Sequence, residues 1–273
     1  MTSALLQTML QAAVAASAAI MDVYARPFVA ERKADGSPVT EADARAEALI
    51  LALLSPTGIP VLAEESVAAG RIPELGRRFF IVDPLDGTKE FVKRNGEFTV
   101  NIALVEDGRP VLGVVLAPVN GETFSAGPSG AFAETLVDGA LVGRHPIAVQ
   151  TSGPLNVVAS RSHGHEAVAR LCKAMRIERD VSVGSSLKFC LLARGDAQLY
   201  PRFTPTSEWD TAAGQAVLEA AGGVVLTLDG RPLSYGRAAD RYINPFFVAA
   251  ASKPLAMEAI AQIKVALAPA TGG

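Results

Sequence analysis

Acidic residues stand at the ends of apolar runs at several points in this chain, and that recurrence is its most chemical feature. In Phe79-Phe80-Ile81-Val82-Asp83-Pro84-Leu85-Asp86-Gly87-Thr88 a buried type of strand delivers Asp83 at its end, and the chain then turns. Pro84 fixes its own φ, and Gly87 lets the backbone approach another group closely. Glu64-Glu65 follows the apolar run 60–63, Asp210 stands beside Trp209 at a helix start, and Asp43 follows Val39-Thr40. Taken singly, each has an ordinary explanation: Asp-Pro and Asp-Gly are turn dipeptides, Asp210 suits a helix N-cap, and Asp43 suits a first helical turn. Gathered in one place, these carboxylates repel one another unless a cation neutralises them. Oxygen ligands with no His or Cys cluster nearby select Mg²⁺ over zinc. Two such ions about 3.5–4 Å apart clamp a phosphoryl group for in-line attack. Backbone N–H groups at Gly87 and Thr88 suit phosphate oxygens, as in an anion-binding turn. The expected chemistry is phosphate-ester hydrolysis.

These residues need a scaffold, and the pattern supplies one. Helical spacing predicts a helix over 3–24. Asp35-Gly36 and Pro38 make 31–43 a polar loop, and Thr40 caps a helix over 41–54 that Ser55-Pro56 stops. Apolar runs at 60–63, 79–82, 98–105 and 111–117 predict strands, the last two joined by a turn at Glu106-Asp107-Gly108-Arg109. Beyond about residue 150 strands and helices alternate. Strands are expected at 156–159, 197–200, 224–228 and 246–250, and helices at 163–175, 186–193, 210–221 and 254–267. Gly222-Gly223 ends the third of those helices. The division is an N-terminal α+β lobe, 1–150, with most of the acidic residues, and a C-terminal α/β lobe, 151–273, with Asp210. No flexible tether separates them.

Composition narrows the function. The 273 residues are 49% hydrophobic and 19% charged, which excludes a disordered chain. Twenty-five basic residues against 28 acidic ones leave no positive field for a nucleic-acid polymer, whereas a single nucleotide needs only a local pocket. Cys172 and Cys190 are too few for a disulfide framework and are expected as free thiols in a reducing compartment. No Lys or Arg precedes the first apolar stretch, and Gln7, Gln11, Ser17 and Asp22 interrupt it, so it reads as a packing helix rather than a leader or a membrane span.

VTEAD (39–43), LAEES (62–66), IVDPLDGTKEF (81–91) and EWDTAAGQAVLEAAGG (208–223) occur in the order found in the inositol monophosphatase superfamily of Mg²⁺-dependent, lithium-sensitive phosphatases. The chain resembles that superfamily over about residues 33–250. The resemblance implies an α+β class, layered α-β-α-β-α sugar-phosphatase fold. It implies that Glu64, Asp83, the Leu85 carbonyl, Asp86 and Asp210 hold two or three Mg²⁺. Asp43 and Thr88 resemble the couple that orients and deprotonates the attacking water, and Glu65 is as readily structural.

Lys89-Glu90, the segment Phe91–Phe98 and GSSLKFCLLARGDAQLYPRF (184–203) look like the 3'(2'),5'-bisphosphate nucleotidase branch; inositol monophosphatases carry Thr-Asn where Lys89-Glu90 stands. The substrate so implied is adenosine 3',5'-bisphosphate, a by-product of sulfur assimilation, cleaved to AMP and phosphate. The nearest rival is an inositol or other sugar monophosphatase. Substrate contacts implied are Glu64, Leu85, Asp86, Gly87, Thr88, Ser186 and Asp210, with His163 near the nucleotide. Lys188 and Arg202 are candidates for the second phosphate, since Arg in particular holds phosphate bidentately. Trp209 is expected as packing behind Asp210, and Cys190 as a small apolar residue. The resemblance further suggests a cytoplasmic enzyme, with room for a homodimer and for weak peripheral association with the inner membrane. No basic amphipathic stretch supports the last independently.

Overall fold

The computed structural model describes residues 2–33, 36–159, 166–177 and 179–267. The chain opens with helix α1 (Thr2–Tyr24), passes through a two-stranded hairpin of β1 (Ala30–Arg32) and β2 (Pro38–Thr40), and enters α2 (Glu41–Leu54). Thr40 and Asp43 start α2 as a capping box: the Thr40 hydroxyl accepts the Ala42 N–H, and the Asp43 carboxylate accepts the Thr40 N–H at 2.8 Å. Then come β3 (Val61–Ala63), α3 (Glu64–Ala68), β4 (Arg78–Asp86) and α4 (Thr88–Val92). A meander follows: β5 (Thr99–Glu106), β6 (Arg109–Leu116), β7 (Glu122–Gly127), β8 (Gly130–Val137) and β9 (Ala140–Ile147). The remainder alternates: β10 (Asn156–Ala159), α5 (Glu166–Ala174), β11 (Arg179–Ser182), α6 (Leu187–Ala193) and β12 (Leu199–Arg202). Last are α7 (Ala212–Ala220), β13 (Val224–Thr227), β14 (Phe247–Ala250) and α8 (Lys253–Leu267).

The strands form a seven-stranded sheet in sequential order β3 to β9 and a five-stranded sheet ordered β11-β10-β12-β14-β13. In the larger sheet only β3–β4 pair in parallel; in the smaller, β10 is parallel to both its neighbours. Period two along the strands decides what each face covers. Phe79, Ile81, Ala103, Val105 and Val115 enter one core, while Phe80, Val82, Ile102, Leu104 and Val114 enter another. The first core contains α6 and α7 together with the inner face of the smaller sheet, at Tyr200, Phe247 and Ala249. The second holds α1 and α2 through Met9, Ala13, Ile20, Ala46 and Ile50. A third, built on Leu199, Val248, Leu171 and Ile260, seats α5 and α8 on the outer face. Helix pair, sheet, helix pair, sheet, helix pair: this is the layered α-β-α-β-α arrangement.

The central layer is tight. A Cβ at Gly113 of β6 would stand 2.6 Å from the Ala213 carbonyl oxygen of α7, and one at Gly214 would stand 2.5 Å from the Phe189 ring of α6. Neither position has room for a side chain.

Several boundaries differ from expectation for physical reasons. β4 does not stop at Asp83 but continues to Asp86, and its register against β5 shifts between those two residues. The strand bulges where the acidic residues sit. α7 begins at Ala212 with Thr211 at its N-cap, so Asp210 lies in the preceding turn and is not the cap. β7 to β9 were not anticipated: β7 is mostly buried but has Phe124 as its one large apolar residue, while much of β8 and all of β9 is at least partly exposed and lacks an apolar run. α5 is described from Glu166, and the expected helix start at 163 lies outside the described residues. α1 has the length and apolarity to cross a membrane, and instead packs its Met9–Val23 face on α2 and β6.

Candidate active site

The β4 bulge places three of the expected residues within one tight turn. Asp83 is buried, and its Oδ1 accepts the Leu85 N–H at 3.0 Å. Gly87 follows with φ 96°, a left-handed conformation without cost for glycine, and its missing Cβ leaves space for the Glu97 carbonyl. Thr88 then opens α4, and its hydroxyl donates to Asp43 Oδ1 at 3.1 Å, with the Leu85 carbonyl at 3.3 Å. The second oxygen of Asp43 accepts the Thr40 N–H and hydroxyl, both at 2.8 Å. The acid that caps α2 is thus also tethered to Thr88, 45 residues away. Burial raises the Asp43 carboxyl above the usual range, against the pull of those hydrogen bonds.

Asp86 bridges the larger sheet to the central helices. Its Oδ2 accepts the Ser186 N–H (2.7 Å), the Ser186 hydroxyl (3.0 Å) and Asn101 Nδ2 (3.2 Å). Asp210 accepts the Thr206 hydroxyl at 2.5 Å and the Ser207 N–H at 2.9 Å. One oxygen each from Asp83, Asp86 and Asp210 lies within 4.8 Å of the others. Glu64, at the start of α3, faces the group: burial, opposed by Lys33 and reinforced by Asp210, pushes its carboxyl up to about 8. Burial and the neighbouring carboxylates hold Asp83 well above the ordinary range and push Asp86 up to about 6. Such a set of crowded oxygens has a chemical demand, namely positive charge, and its donors are those that hard divalent cations prefer.

Sequence reasoning missed several of its supports. The Lys33 ammonium donates to Glu64 Oε1 at 2.7 Å and to Glu65 Oε1 at 2.5 Å. Burial opposes its charge, but the two carboxylates win and hold its pKa above that of an ordinary lysine. Glu47 takes the Glu65 N–H (2.8 Å) and the Ser66 hydroxyl (2.7 Å) on its two oxygens, anchoring the start of α3. An acid four residues after Asp43 on the buried face of a helix was a readable signal for Glu47, as was a lone Asn in an apolar strand for Asn101. Lys33 carried no such signal.

Beside the acidic group lies a cleft of about 130 Å³, lined by Asp86, Gly87, Lys89, Lys188, Arg202 and Asp210 among others. Lys188 is buried; its Nζ donates to the Ser185 carbonyl at 2.8 Å and stands 5.7 Å from the Tyr200 ring centre. Burial presses its pKa down to about 8, against the pull of Asp86. The Arg202 guanidinium donates to the Thr204 and Pro205 carbonyls at 3.2 Å each. Ser186, expected to touch substrate, is buried, and its hydroxyl is engaged by Asp86 and by the Asp210 carbonyl at 2.7 Å. Its neighbour Ser185 lines the cleft instead. Ser185 has φ 47° and a buried hydroxyl with no hydrogen-bond partner among the described residues. Trp209 packs at 6.3 Å from the Tyr242 ring, and the Cys190 thiol is buried and pushed up by burial. His163 lies outside the described residues.

Known proteins resemble this chain in sequence and fold. Residues 1–266 match the inositol monophosphatase family. The chain is 48% identical to the 3'(2'),5'-bisphosphate nucleotidase CysQ of Escherichia coli O157:H7, over 84% of this chain and 92% of that protein. It is 41% identical to CysQ of Buchnera aphidicola subsp. Acyrthosiphon pisum, over 90% and 94%. Among solved structures, CysQ from Bacteroides thetaiotaomicron superposes with a TM-score of 0.75 at 38% identity, covering 92% of this chain and 97% of that one. An inositol monophosphatase from Anabaena (Nostoc) sp. PCC 7120 superposes at 0.74 with 23% identity, over 96% of each chain, which is a likeness of fold. The chain belongs to the inositol monophosphatase family.

Proposed function

We propose that this chain is a 3'(2'),5'-bisphosphate nucleotidase that removes the 3'-phosphate of adenosine 3',5'-bisphosphate, giving AMP and phosphate, with Mg²⁺ as its metal. The observation that supports this reading is the shared cleft: Asp86 and Asp210 of the crowded carboxylates line it together with Lys188 and Arg202. A substrate with two phosphates needs one site of each kind, and the identity to CysQ nucleotidases extends over most of the chain.

The metal-holding residues on this reading are Glu64, Asp83, the Leu85 carbonyl, Asp86 and Asp210. Bound there, Mg²⁺ supplies positive charge to the phosphoryl group and its leaving oxygen. The rest falls to the chain. Thr88 accepts a hydrogen bond from the attacking water, and as that proton arrives its own hydroxyl proton passes to Asp43 Oδ1. The raised pKa of buried Asp43 suits a proton acceptor. Lys188 and Arg202 hold the 5'-phosphate, joined by the unpartnered Ser185 hydroxyl. We carry over from the family a cytoplasmic homodimer with weak peripheral contact at the inner membrane, to be checked by sedimentation equilibrium and vesicle co-sedimentation.

Phosphate release from adenosine 3',5'-bisphosphate, inositol 1-phosphate and fructose 1,6-bisphosphate tests the substrate. The bisphosphonucleoside should be turned over fastest. Faster release from inositol 1-phosphate would overturn the reading in favour of a sugar monophosphatase.

A further inference from the structure

The turn that carries Asp210 belongs to no helix or strand, yet it must hold a charged group beside Asp83 and Asp86. Thr206 and Ser207 aim the carboxylate within the turn. Ser186 of the central layer holds the Asp210 carbonyl, and further support for the turn comes from residues 234–244. Asn244 is 5% exposed, and its Nδ2 donates to the Ser207 carbonyl at 2.8 Å and to the Thr211 hydroxyl at 2.9 Å, on either side of Asp210. Its backbone N–H reaches the Thr206 carbonyl at 2.8 Å. Arg237 donates in turn to Asn244 Oδ1 at 3.2 Å and to the Ile243 carbonyl at 2.8 Å. It also pairs at 3.2 Å with Glu208, a fully buried carboxylate that accepts the N–H groups of Gly236 and Arg237.

This strap is shaped at some cost. Arg241 and Tyr242 are consecutive non-glycine residues with φ of 53° and 60°. Side chains adopt that left-handed region in succession only when their surroundings dictate it. No residue of 234–244 lines the cleft, so whatever the strap contributes passes through the turn.

We propose that Asn244, backed by Arg237 and Glu208, is a positioning residue for Asp210. It fixes the 206–211 turn so that this carboxylate keeps its place beside Asp83 and Asp86 before a cation arrives. The inference rests on reading Asp210 as a metal ligand. Like charges in one pocket drive each other apart. A turn free to relax outward must be drawn back when the ion binds, and that reorganisation is taken from metal affinity.

Mn²⁺ titration of the metal-free protein by calorimetry tests this without turnover. Asp210→Asn first identifies the class of site that depends on Asp210. Asn244→Ala should weaken that class at least tenfold and leave any other within twofold. In assays, kcat should fall at low metal and recover at high metal, while KM for the bisphosphate stays within twofold. Arg237→Gln, which leaves Asn244 in place, should show the same pattern more weakly and serves if Asn244→Ala does not fold. Ile263→Ala, in the third core, supplies a variant of lowered melting temperature that should leave the isotherm unchanged. An Asn244→Ala isotherm like that of the parent, or one in which all classes weaken equally, overturns the positioning role. If Asp210→Asn itself removes no site, the metal reading fails and this inference fails with it; if it removes a site that Asn244→Ala keeps, only the inference fails.

Discussion

The two ends of the cleft are finished to different degrees. At the acidic end every carboxylate already has partners: Asp83 the Leu85 N–H, Asp86 the Ser186 and Asn101 donors, Asp210 the Thr206 and Ser207 donors. At the basic end Lys188 has one carbonyl, Arg202 has two and keeps other N–H groups to spare, Lys89 is exposed on the first turn of α4, and the Ser185 hydroxyl has no partner among the described residues. The difference suits what each end would bind on the proposed reading. A small divalent ion demands oxygens at fixed positions, which must be set beforehand. A phosphate brings its own oxygens and wants donors still free to reach them.

The acidic end should therefore fail abruptly and the basic end by degrees. Asp83→Asn should lower kcat by several orders of magnitude, as should exhaustive chelation, because unassisted phosphate-ester hydrolysis is extremely slow. Undiminished turnover in EDTA after dialysis would refute the metal site. Thr88→Ala comes next: kcat should drop while substrate affinity stays within about tenfold. The Asp43–Thr40 bonds survive that change, so the melting temperature should hold, and a normal kcat would remove Thr88 and Asp43 from proton transfer. Lys188→Ala or Arg202→Ala should weaken the bisphosphate by about 1.5–3 kcal/mol, the worth of a charge-assisted contact, and hardly touch adenosine 3'-monophosphate. Equal losses on both substrates would break the comparison.

The smallest effect is a matter of sign. Without metal, Glu64 and Asp86 keep protons up to pH values near 8 and 6, and a cation must displace them. Metal affinity should rise with pH and level off above about 8. Lys188 runs the other way: its charge is present below about 8 and lost above, so KM for the bisphosphate should climb in that range. Metal-activation constants and KM measured between pH 6 and 9 should slope oppositely. Parallel slopes would refute the opposed roles given to the carboxylates and Lys188.

How much of this was readable depended on distance along the chain. Asp83, Asp86, Gly87 and Thr88 fall within six residues, so their shared turn shows in the sequence itself. The strands of the larger sheet up to 117 were legible from unbroken apolar runs, whereas β8 and β9 expose one face and more, and offer no such run. Lys33 meets Glu64 across 31 residues and Asn101 meets Ser186 across 85, contacts that no local pattern encodes. The different surroundings of Ser185 and Ser186 were the least legible feature. Two adjacent serines are indistinguishable until the backbone turns left-handed at the first and sends their hydroxyls to different places.

Absence of side chains at Gly113 and Gly214 has a consequence for ion choice. α7 begins two residues after Asp210, and those glycines let it lie directly on β6 and against Phe189. The turn that carries Asp210 runs straight into that seated helix, so layer thickness, together with the 234–244 strap, bears on the gap across which Asp210 faces the β4 carboxylates. On the proposed metal reading, that thickness would act as a gauge of ionic radius. A methyl group at 113 would wedge α7 outward and widen the gap, so tolerance should shift from Mg²⁺, which takes ligands at about 2.0–2.1 Å, toward Ca²⁺ at about 2.3–2.6 Å. Gly113→Ala should alter which cation is accepted, measured as the ratio of Ca²⁺ to Mg²⁺ binding constants. On that reading, selectivity at the metal end would lie partly in the packing of the central layer, several residues away from any proposed ligand.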